Sequence, residues 1–294
     1  MPSSKPVAIV TGGASGMGLG TVEHLVGSAW NVAIFDFNGQ AAARVAQEYG
    51  ENVISIQGNA VLYEDQVKVF TEAWKKWERI DLVFANVGFG DRMDFCKPVA
   101  ELDNGAPPQP DLLTIDVSLV SSIWSAYLAL HFFRKKACKG GKLVFTSSSA
   151  GLYPSSEMLL YGAAKHGVVA LARGLGKRSL EKQDPIQSYA ICPGLVPTPL
   201  ISDALRDAVP PEVLTPVSMV VEALDRIIKG QFTNGQVVEC SGTEIQARPP
   251  LEYLNTAAEY IGQGKFKGLV DPSDFAKHAE KRGQRLVGMA GNIR

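Results

Sequence analysis

The feature that most constrains this chain is a short apolar run that passes through a glycine-rich turn into a helical pattern. Val7–Val10 is apolar and mostly β-branched, and Leu19–Val26 repeats its apolar residues at helical spacing. The glycines between them let the backbone turn tightly and approach a pyrophosphate, whose charge meets backbone amides and the positive end of a helix. These glycines are Gly12, Gly16 and Gly18. The stretch predicts a strand, a phosphate-binding turn and a helix.

The second predicted strand, Asn31–Phe35, ends in an acidic residue, Asp36. A carboxylate at this place can accept hydrogen bonds from both adenosine ribose hydroxyls, and its charge repels a 2′-phosphate. The pattern therefore predicts NAD as the cofactor in preference to NADP. The alternative is that Asp36 only caps the next helix at Gly39.

Strands and helices continue to alternate along the chain. Further strands are predicted at Val53–Gln57, Leu82–Ala85, Lys142–Thr146, Ile186–Ile191 and Gln236–Cys240, and helices at Tyr63–Trp77, Leu112–Lys135 and Tyr161–Leu180. Such alternation implies a parallel sheet with right-handed crossovers. We therefore predict a single α/β fold, a Rossmann-type doubly wound sheet with helices on both faces. Ligands of such sheets bind at the carboxyl ends of the strands.

Two segments break this alternation. Phe89–Pro110 is long and rich in proline, so we expect a loop at the rim of the pocket. From Pro249 onward the chain follows its last predicted strand, with a helix expected at Leu251–Tyr260 and a basic stretch at Lys277–Arg285. We assign residues 1–248 to one dinucleotide-binding catalytic domain, and residues 249–294 to an extension that is not a separate domain.

A tyrosine and a lysine four residues apart point to acid/base chemistry. Tyr161 and Lys165 share one helix face, so an ammonium is expected to favour the phenolate and to lower the pKa of the tyrosine. Tyr161 is then a candidate general acid/base. Because many exposed helices carry such a pair, the spacing alone is also consistent with a solvated surface. Ser148, upstream of Tyr161, lies where a predicted strand ends.

Composition and charge exclude several classes of function. The formal net charge is -1, so no basic field indicates nucleic acid or an anionic membrane. No run of about 20 apolar residues predicts a membrane span, and no secretory signal is visible, so we expect a cytoplasmic protein. The histidines and acidic residues show no metal-ligand spacing, so no metal site is expected. We expect buried free thiols at all four cysteines, Cys96, Cys138, Cys192 and Cys240.

Several motifs in a fixed order carry a resemblance. They are Thr11-Gly12-x-x-x-Gly16-x-Gly18, Asn86-Val87-Gly88, Ser148, Tyr161-x-x-x-Lys165, and Pro193-Gly194 with Thr198. On these residues the chain resembles the short-chain dehydrogenase/reductase family from about Lys5 to Ile245. Within that family it is most similar to the NAD-dependent hydroxyprostaglandin dehydrogenase group, through Phe35–Asn38, Lys165–Val169 and Ala190–Gly194.

The resemblance implies roles for particular residues. Tyr161 is expected to exchange a proton with an alcohol oxygen, Lys165 to hold the nicotinamide ribose hydroxyls, and Ser148 to donate a hydrogen bond to the substrate oxygen. Ser118 stands where the family usually has an asparagine that completes a proton relay through water; a different register would put Asp116 there. The expected cofactor-binding residues are Gly12, Ser15, Gly16, Met17, Gly18, Asp36, Phe37, Asn59, Ala60, Asn86, Gly88, Tyr161, Lys165, Pro193, Val196 and Thr198.

The substrate side is expected to be apolar. Leu195–Leu214 is either a mobile lid with an apolar face or a helix packed on the core. Its Leu195 and Leu200, with Tyr153 and Met158, are the expected lining, which favours a bulky, hydrophobic secondary alcohol or ketone. The alternatives are a non-redox isomerase or cyclase on the same fold, and a binding module occupied by NAD. The resemblance also implies a homodimer or homotetramer, formed through the helices Leu112–Lys135 and that after Tyr161.

Overall fold

The computed structural model describes residues 2–135, 138 and 140–265 of the 294-residue chain. Its strands are β1 Val7–Thr11, β2 Asn31–Asp36, β3 Val53–Gln57, β4 Leu82–Ala85, β5 Gly141–Thr146, β6 Ile186–Pro193, β7 Val237–Ser241 and β8 Glu244–Arg248. Its helices are α1 Gly16–Gly27, α2 Gly39–Tyr49, α3 Tyr63–Trp77, α4 Leu113–Phe133, α5 Leu159–Lys182, α6 Asp203–Ala208, α7 Val217–Ile228 and α8 Thr256–Gly262.

One sheet carries all eight strands, in the order β3-β2-β1-β4-β5-β6-β7-β8. The first seven strands of the chain run parallel, and β8 pairs antiparallel with β7. The strand order reverses direction between β1 and β4, which is where ligands bind in sheets of this kind. The predicted Rossmann-type fold is confirmed.

Alternating side chains of the central strands serve two separate cores. In β1, Val7 and Ile9 pack on one face with α3, α4 and α5, while Ala8 and Val10 pack on the other with α1, α2 and α7. All four of these residues are fully buried. This burial on both faces explains why the strands read as continuous apolar runs.

Helix α4 contains a turn of π-helix, Asp116–Val120. Just after it, the hydroxyl of Ser121 donates to the Val117 carbonyl and that of Ser122 to the Ser118 carbonyl, a bonding pattern that bends helices. In the described part of the chain, α4 is the one helix long and apolar enough to cross a membrane, and about half of it is buried inside the fold. Such burial is typical of a core helix.

Strand β8 was not predicted. It follows β7 through a two-residue turn that begins with Gly242, at φ +53°. A glycine at the first position of a two-residue turn is a hairpin signal. Strand β8 lies at the edge of the sheet and contributes little to the core, so Glu244–Arg248 lacks the apolar run by which the other strands were recognised.

The chain divides into two units, Met1–Pro249 and Pro250–Arg294. In the second, the structure describes residues 250–265. Its helix α8 begins later than predicted because the side chain of Asn255 accepts a hydrogen bond from the Ala258 amide and caps the helix there. The basic stretch Lys277–Arg285 lies outside the described residues, and the assignment of residues 249–294 as an extension stays a prediction.

Candidate active site

The glycine-rich turn lies between β1 and α1, as predicted. Gly12 and Gly16 have φ of +65° and +52°, a region that side chains with a Cβ rarely adopt. A Cβ on Gly18 would lie 1.9 Å from the carbonyl oxygen of Gly12. Only a chain without side chains at these places can form the turn, which leaves backbone amides at the start of α1 available to an anion.

Polar side chains join the carboxyl ends of β1, β4 and β5. The hydroxyl of Thr11 accepts hydrogen bonds from the amides of Asn86 and Val87, at 2.9 and 3.3 Å. The hydroxyl of Thr146 donates to Oδ1 of Asn86 at 2.9 Å. These bonds fix Asn86 beside the glycine turn. Thr11 belongs to the glycine motif, but neither threonine was predicted as a site residue, although each is the last residue of a buried strand.

The Asp36 carboxylate connects the end of β2 to the glycine turn. Its Oδ2 accepts the amide of Ala14 at 3.0 Å and its Oδ1 the amide of Asn38 at 2.9 Å. The helix that follows is capped by Asn38, whose side chain accepts from Ala41. The alternative that Asp36 only caps this helix is therefore wrong. Each carboxylate oxygen keeps a further lone pair for a ligand hydroxyl.

A cavity of about 270 Å³ brings most of the predicted cofactor residues together. It is lined by Gly12, Ser15, Gly16, Met17, Asp36, Phe37, Asn86, Val87, Gly88, Thr198, Pro199 and Leu200. The predicted cofactor residues that are not in this lining are Gly18, Asn59, Ala60, Tyr161, Lys165, Pro193 and Val196. Asn59 Oδ1 accepts the amide of Val61, and the side chain of Val196 is buried in the core, which leaves only its backbone for a ligand.

Tyr161, Ser148 and Lys165 meet beside this cavity. Ser148 accepts the amide of Ala150 at 3.1 Å, and its hydroxyl is close enough to the Tyr161 phenol to lower the pKa of that phenol. Because that amide occupies a lone pair of Ser148, its hydroxyl proton is free to point at the phenol oxygen. Nζ of Lys165 is 5.5 Å from the centroid of the Tyr161 ring. The helix spacing thus brings the tyrosine and lysine together as predicted.

The electrostatics of the pair differ from the prediction. Burial raises the pKa of Tyr161, and the hydrogen bond from Ser148 lowers it only in part. Burial also lowers the pKa of Lys165 to about 8, and its ammonium donates to the Thr146 carbonyl at 2.8 Å. The expected lowering of the Tyr161 pKa is therefore wrong. Burial of the phenol outweighs the opposing effect of Ser148, and the Lys165 ammonium is bonded to a backbone carbonyl and not to the phenol.

Ser118 lies in the π-helical turn and is fully buried. Its hydroxyl accepts the Phe89 amide at 3.3 Å and donates to the Phe89 carbonyl at 3.2 Å. A Cβ on Gly88 would lie 2.8 Å from Nζ of Lys165 and 3.3 Å from Oγ of Ser118. Ser118 therefore borders the lysine, as its alignment implies, but its hydroxyl is already bonded in both directions.

The expected substrate residues fall into two groups. Leu200 lines the cavity and is 62% exposed, and Met158 is 38% exposed with its sulfur close to Gly90. Tyr153 instead lies in a polar cluster, where its hydroxyl donates to Glu239 and accepts from Arg248. The expectation of an aromatic, apolar wall at Tyr153 is corrected accordingly.

Leu195–Leu214 is exposed along most of its length. Leu195 forms an isolated parallel bridge with Leu214, and the helix between them, α6, has no buried residue. Of the two alternatives, a helix packed on the core is not what the structure contains. Thr198 reaches back from this segment to the glycine turn, since a Cβ on Gly16 would lie 3.0 Å from its side chain.

The cysteines differ in exposure. All four are free, but Cys96 is exposed and Cys138 only half-buried, so the expectation of buried thiols holds for Cys192 and Cys240 and is wrong for the other two. Burial raises the pKa of Cys192 to about 11 and that of Cys240 to about 12. Among the described residues, no group of three or more histidine, cysteine or acidic side chains could hold a metal.

Comparisons with known proteins identify relatives of this chain. The family model for short chain dehydrogenase matches residues 6–208. Short-chain dehydrogenase/reductase prx7 of Penicillium rubens is 34% identical over 257 residues, which cover 85% of this chain and 89% of that protein. The 15-hydroxyprostaglandin dehydrogenase (NAD(+)) of Bos taurus is 28% identical over 207 residues, 68% of this chain and 72% of that one.

A solved structure supports the same fold. The crystal structure of 3-ketoacyl-(acyl-carrier-protein) reductase from Brucella melitensis, complexed with NADH, matches with a TM-score of 0.69 and 21% identity. The match covers 82% of this chain and 98% of that one. The hydroxyprostaglandin dehydrogenases are thus relatives, at lower identity than the fungal protein. Since the family model spans more than half of its residues, this chain belongs to the short-chain dehydrogenase family.

Proposed function

We propose that the chain is an NAD-linked oxidoreductase that interconverts a hydrophobic secondary alcohol and its ketone. The observation that carries the proposal is the meeting of Tyr161, Ser148 and Lys165 beside the cavity of the glycine turn. The glycine geometry fits a dinucleotide, because the lack of Cβ atoms leaves backbone amides open to a pyrophosphate.

In the proposed mechanism, Tyr161 moves one proton at the substrate oxygen. As phenolate it takes the hydroxyl proton during oxidation, and as phenol it protonates the alkoxide oxygen during reduction. Ser148 donates a hydrogen bond to the same oxygen and stabilises the charge that develops there. Lys165 would hold the nicotinamide ribose hydroxyls. When bound, the nicotinamide accepts or supplies the hydride of the carbinol carbon.

The preference for NAD is argued from Asp36. Its carboxylate lies at the cavity, next to Phe37, whose side chain is 75% exposed and can cover an adenine. A 2′-phosphate would meet the negative charge of Asp36, whereas ribose hydroxyls can donate to it. We expect calorimetric titration to give an affinity for NAD at least about tenfold higher than for NADP. Tighter binding of NADP would contradict this argument.

The proton relay is the step in which this chain departs most from its family. The Ser118 hydroxyl is bonded to both backbone groups of Phe89, so it exchanges protons with water only after breaking a bond. An asparagine could keep both bonds, through its carbonyl and one N–H, and offer a second N–H to water. We expect Ser118→Asn to raise turnover, measured in steady state; an unchanged or lower rate would count against the relay.

A homo-oligomer is proposed from the surface of α4. Its Ile123 and Tyr127 are 44% and 67% exposed, on an apolar helix that is about half buried in the fold. Burying such side chains against a second copy would remove apolar area from water. Sedimentation at micromolar concentration should give a dimer or tetramer, and a monomer would contradict the proposal.

The proposed reaction is tested with a panel of hydrophobic secondary alcohols with NAD, and of the matching ketones with NADH. We expect the absorbance of reduced nicotinamide to change in step with product formation for at least one pair. Product formed without an absorbance change would indicate a non-redox isomerase or cyclase. Binding of NAD without any product would indicate a module that only binds the cofactor.

A further inference from the structure

The first turn of α5 lacks a cap of its own. Helices leave their first amides without intrahelical partners, and the residue before the helix usually supplies an acceptor. Here that residue is Met158, which makes no side-chain capping bond. The amides of Leu160 and Tyr161 donate instead to the two carboxylate oxygens of Asp91, at 3.0 and 2.7 Å.

Asp91 comes from the loop after β4, 70 residues before Tyr161. The start of this loop is fixed by side chains to the N-terminal part of α4. Ser118 bonds both backbone groups of Phe89, and the hydroxyl of Thr114 donates to the Gly90 carbonyl at 3.0 Å. Asp91 is therefore held by the framework of the sheet and α4, independently of α5.

The same short segment also contacts the lysine. Gly88 lies against Nζ of Lys165, where a Cβ would approach to 2.8 Å. Residues 88–91 thus contact α5 at two points, one at Lys165 and one at the amide of Tyr161. A carboxylate at the N-terminus of a helix is further stabilised by the helix dipole, which favours the bonded arrangement.

We propose that Asp91 is a positioning residue for the acid/base Tyr161. Its carboxylate accepts a hydrogen bond from the amide of Tyr161 itself. The bond therefore fixes the position of the first turn of α5 along the helix axis and its rotation about that axis, and with them the distance from the phenol to Ser148. This inference rests on the proposed function, since it assigns to Tyr161 the proton transfer described above. It adds a residue from the rim loop that touches neither cofactor nor reacting atoms.

The test compares Asp91→Ala with Asp94→Ala in the full-length protein. Asp94 lies in the same loop and carries the same charge, but among the described residues its carboxylate accepts only the nearby Cys96 amide, at 3.0 Å. Two quantities are measured: hydrogen exchange of a peptide that covers the first turn of α5, and kcat and KM with the best substrate and cofactor. Asp91→Asn serves as the conservative variant, because its single carbonyl oxygen retains one of the two bonds.

We expect Asp91→Ala to speed exchange at the first turn of α5 and to lower kcat on the order of 10- to 100-fold, with KM for the cofactor changed less than about twofold. The exchange rate and kcat of Asp91→Asn should lie between those of Asp91→Ala and the wild type. Asp94→Ala should match the wild type in both quantities. If Asp91→Ala does not fold, the intermediate exchange and kcat of Asp91→Asn test the same claim.

Faster exchange with an unchanged kcat would overturn the inference, since Asp91 would then be only a structural cap. A loss confined to KM, or unchanged exchange, would overturn it as well. Failure of the proposed function looks different. In that case the wild type itself gives no nicotinamide-linked turnover with any substrate, while the exchange data still report whether Asp91 holds the first turn.

Discussion

The cofactor side and the substrate side of this site are built in different ways. The cofactor side consists of strand ends and a glycine turn that are held by bonds between buried residues, such as Thr146 to Asn86. The proposed substrate side consists of Leu195–Leu214 and the loop after β4. In the first of these segments, Leu200, Leu205 and Val213 are all more than 40% exposed. One side is fixed by the core of the sheet, and the other is fixed at a few points.

This difference explains how one fold can retain its chemistry while its substrate changes. Substitutions on the cofactor side meet backbone atoms at close range, so they disturb the fold. Substitutions on the substrate side meet solvent, so they alter binding alone. Three predictions follow from this difference. The expected change in stability decreases from Gly18 in the glycine turn, through Lys165, to Leu200 in the exposed segment.

The largest effect is expected at Gly18. Its Cβ would lie 1.9 Å from the Gly12 carbonyl oxygen, so Gly18→Ala must distort the turn. We expect destabilisation by about 3 kcal/mol and loss of cofactor binding, measured by urea unfolding and calorimetry. Gly27→Ala, on the same helix, is the matched control, because the described residues outside its own turn of backbone leave the space within 4 Å of its Cβ open; it should stabilise the fold by about 0.5 kcal/mol. Equal stability and equal cofactor affinity of the two variants would contradict the claim that the glycine turn is fixed by close backbone contacts.

A smaller effect concerns the buried charge of Lys165. Burial lowers its pKa to about 8 in the folded chain, against an ordinary value of 10.5, so the unfolded chain binds more protons between these two pH values. Stability contributed by this group is therefore lost as pH falls through 8, and regained toward pH 10.5. When the pH rises from about 7 to about 9.5, the free energy of unfolding of the wild type should increase by about 2 kcal/mol relative to that of Lys165→Met.

This prediction is measured by urea unfolding of both proteins without cofactor. A constant difference between them across that range would mean that the ammonium is not desolvated, and it would weaken the contrast between a buried and an exposed side of the site.

The smallest effect is expected at Leu200, on the substrate side. Leu200→Ala removes apolar area from a side chain that is 62% exposed, so KM for a bulky substrate should rise no more than about fivefold, with kcat and stability unchanged. Leu180→Ala, 63% exposed near the end of α5, is the control and should leave KM unchanged. A large loss of stability in Leu200→Ala would show that this segment belongs to the core.

The two sides also differ in what could be predicted from sequence. The glycine turn, Asp36 and the Tyr161–Lys165 pair depend on neighbours within one turn or one strand end, so short-range spacing was enough to place them. Asp91 could not be found this way, because its partners are the amides of a helix 70 residues away. Likewise, the bond of Tyr153 to Arg248 depends on the unpredicted β8, and its bond to Glu239 joins residues 86 positions apart.

Electrostatics could be predicted least of all. The spacing of Tyr161 and Lys165 was sufficient to place the two groups close together, but it carried no information about burial. Burial raises the pKa of the tyrosine and lowers that of the lysine, both opposite to the behaviour of an exposed pair. The raised pKa favours the protonated phenol, which is the form that reduction of a ketone requires.

The most direct test of the account is a single turnover of Tyr161→Phe with bound cofactor, followed by the absorbance of reduced nicotinamide. The account predicts that hydride transfer slows at least about 100-fold while the affinity for the cofactor stays within about twofold of the wild type. Transfer at the wild-type rate would contradict it, because the phenol would then have no part in the reaction.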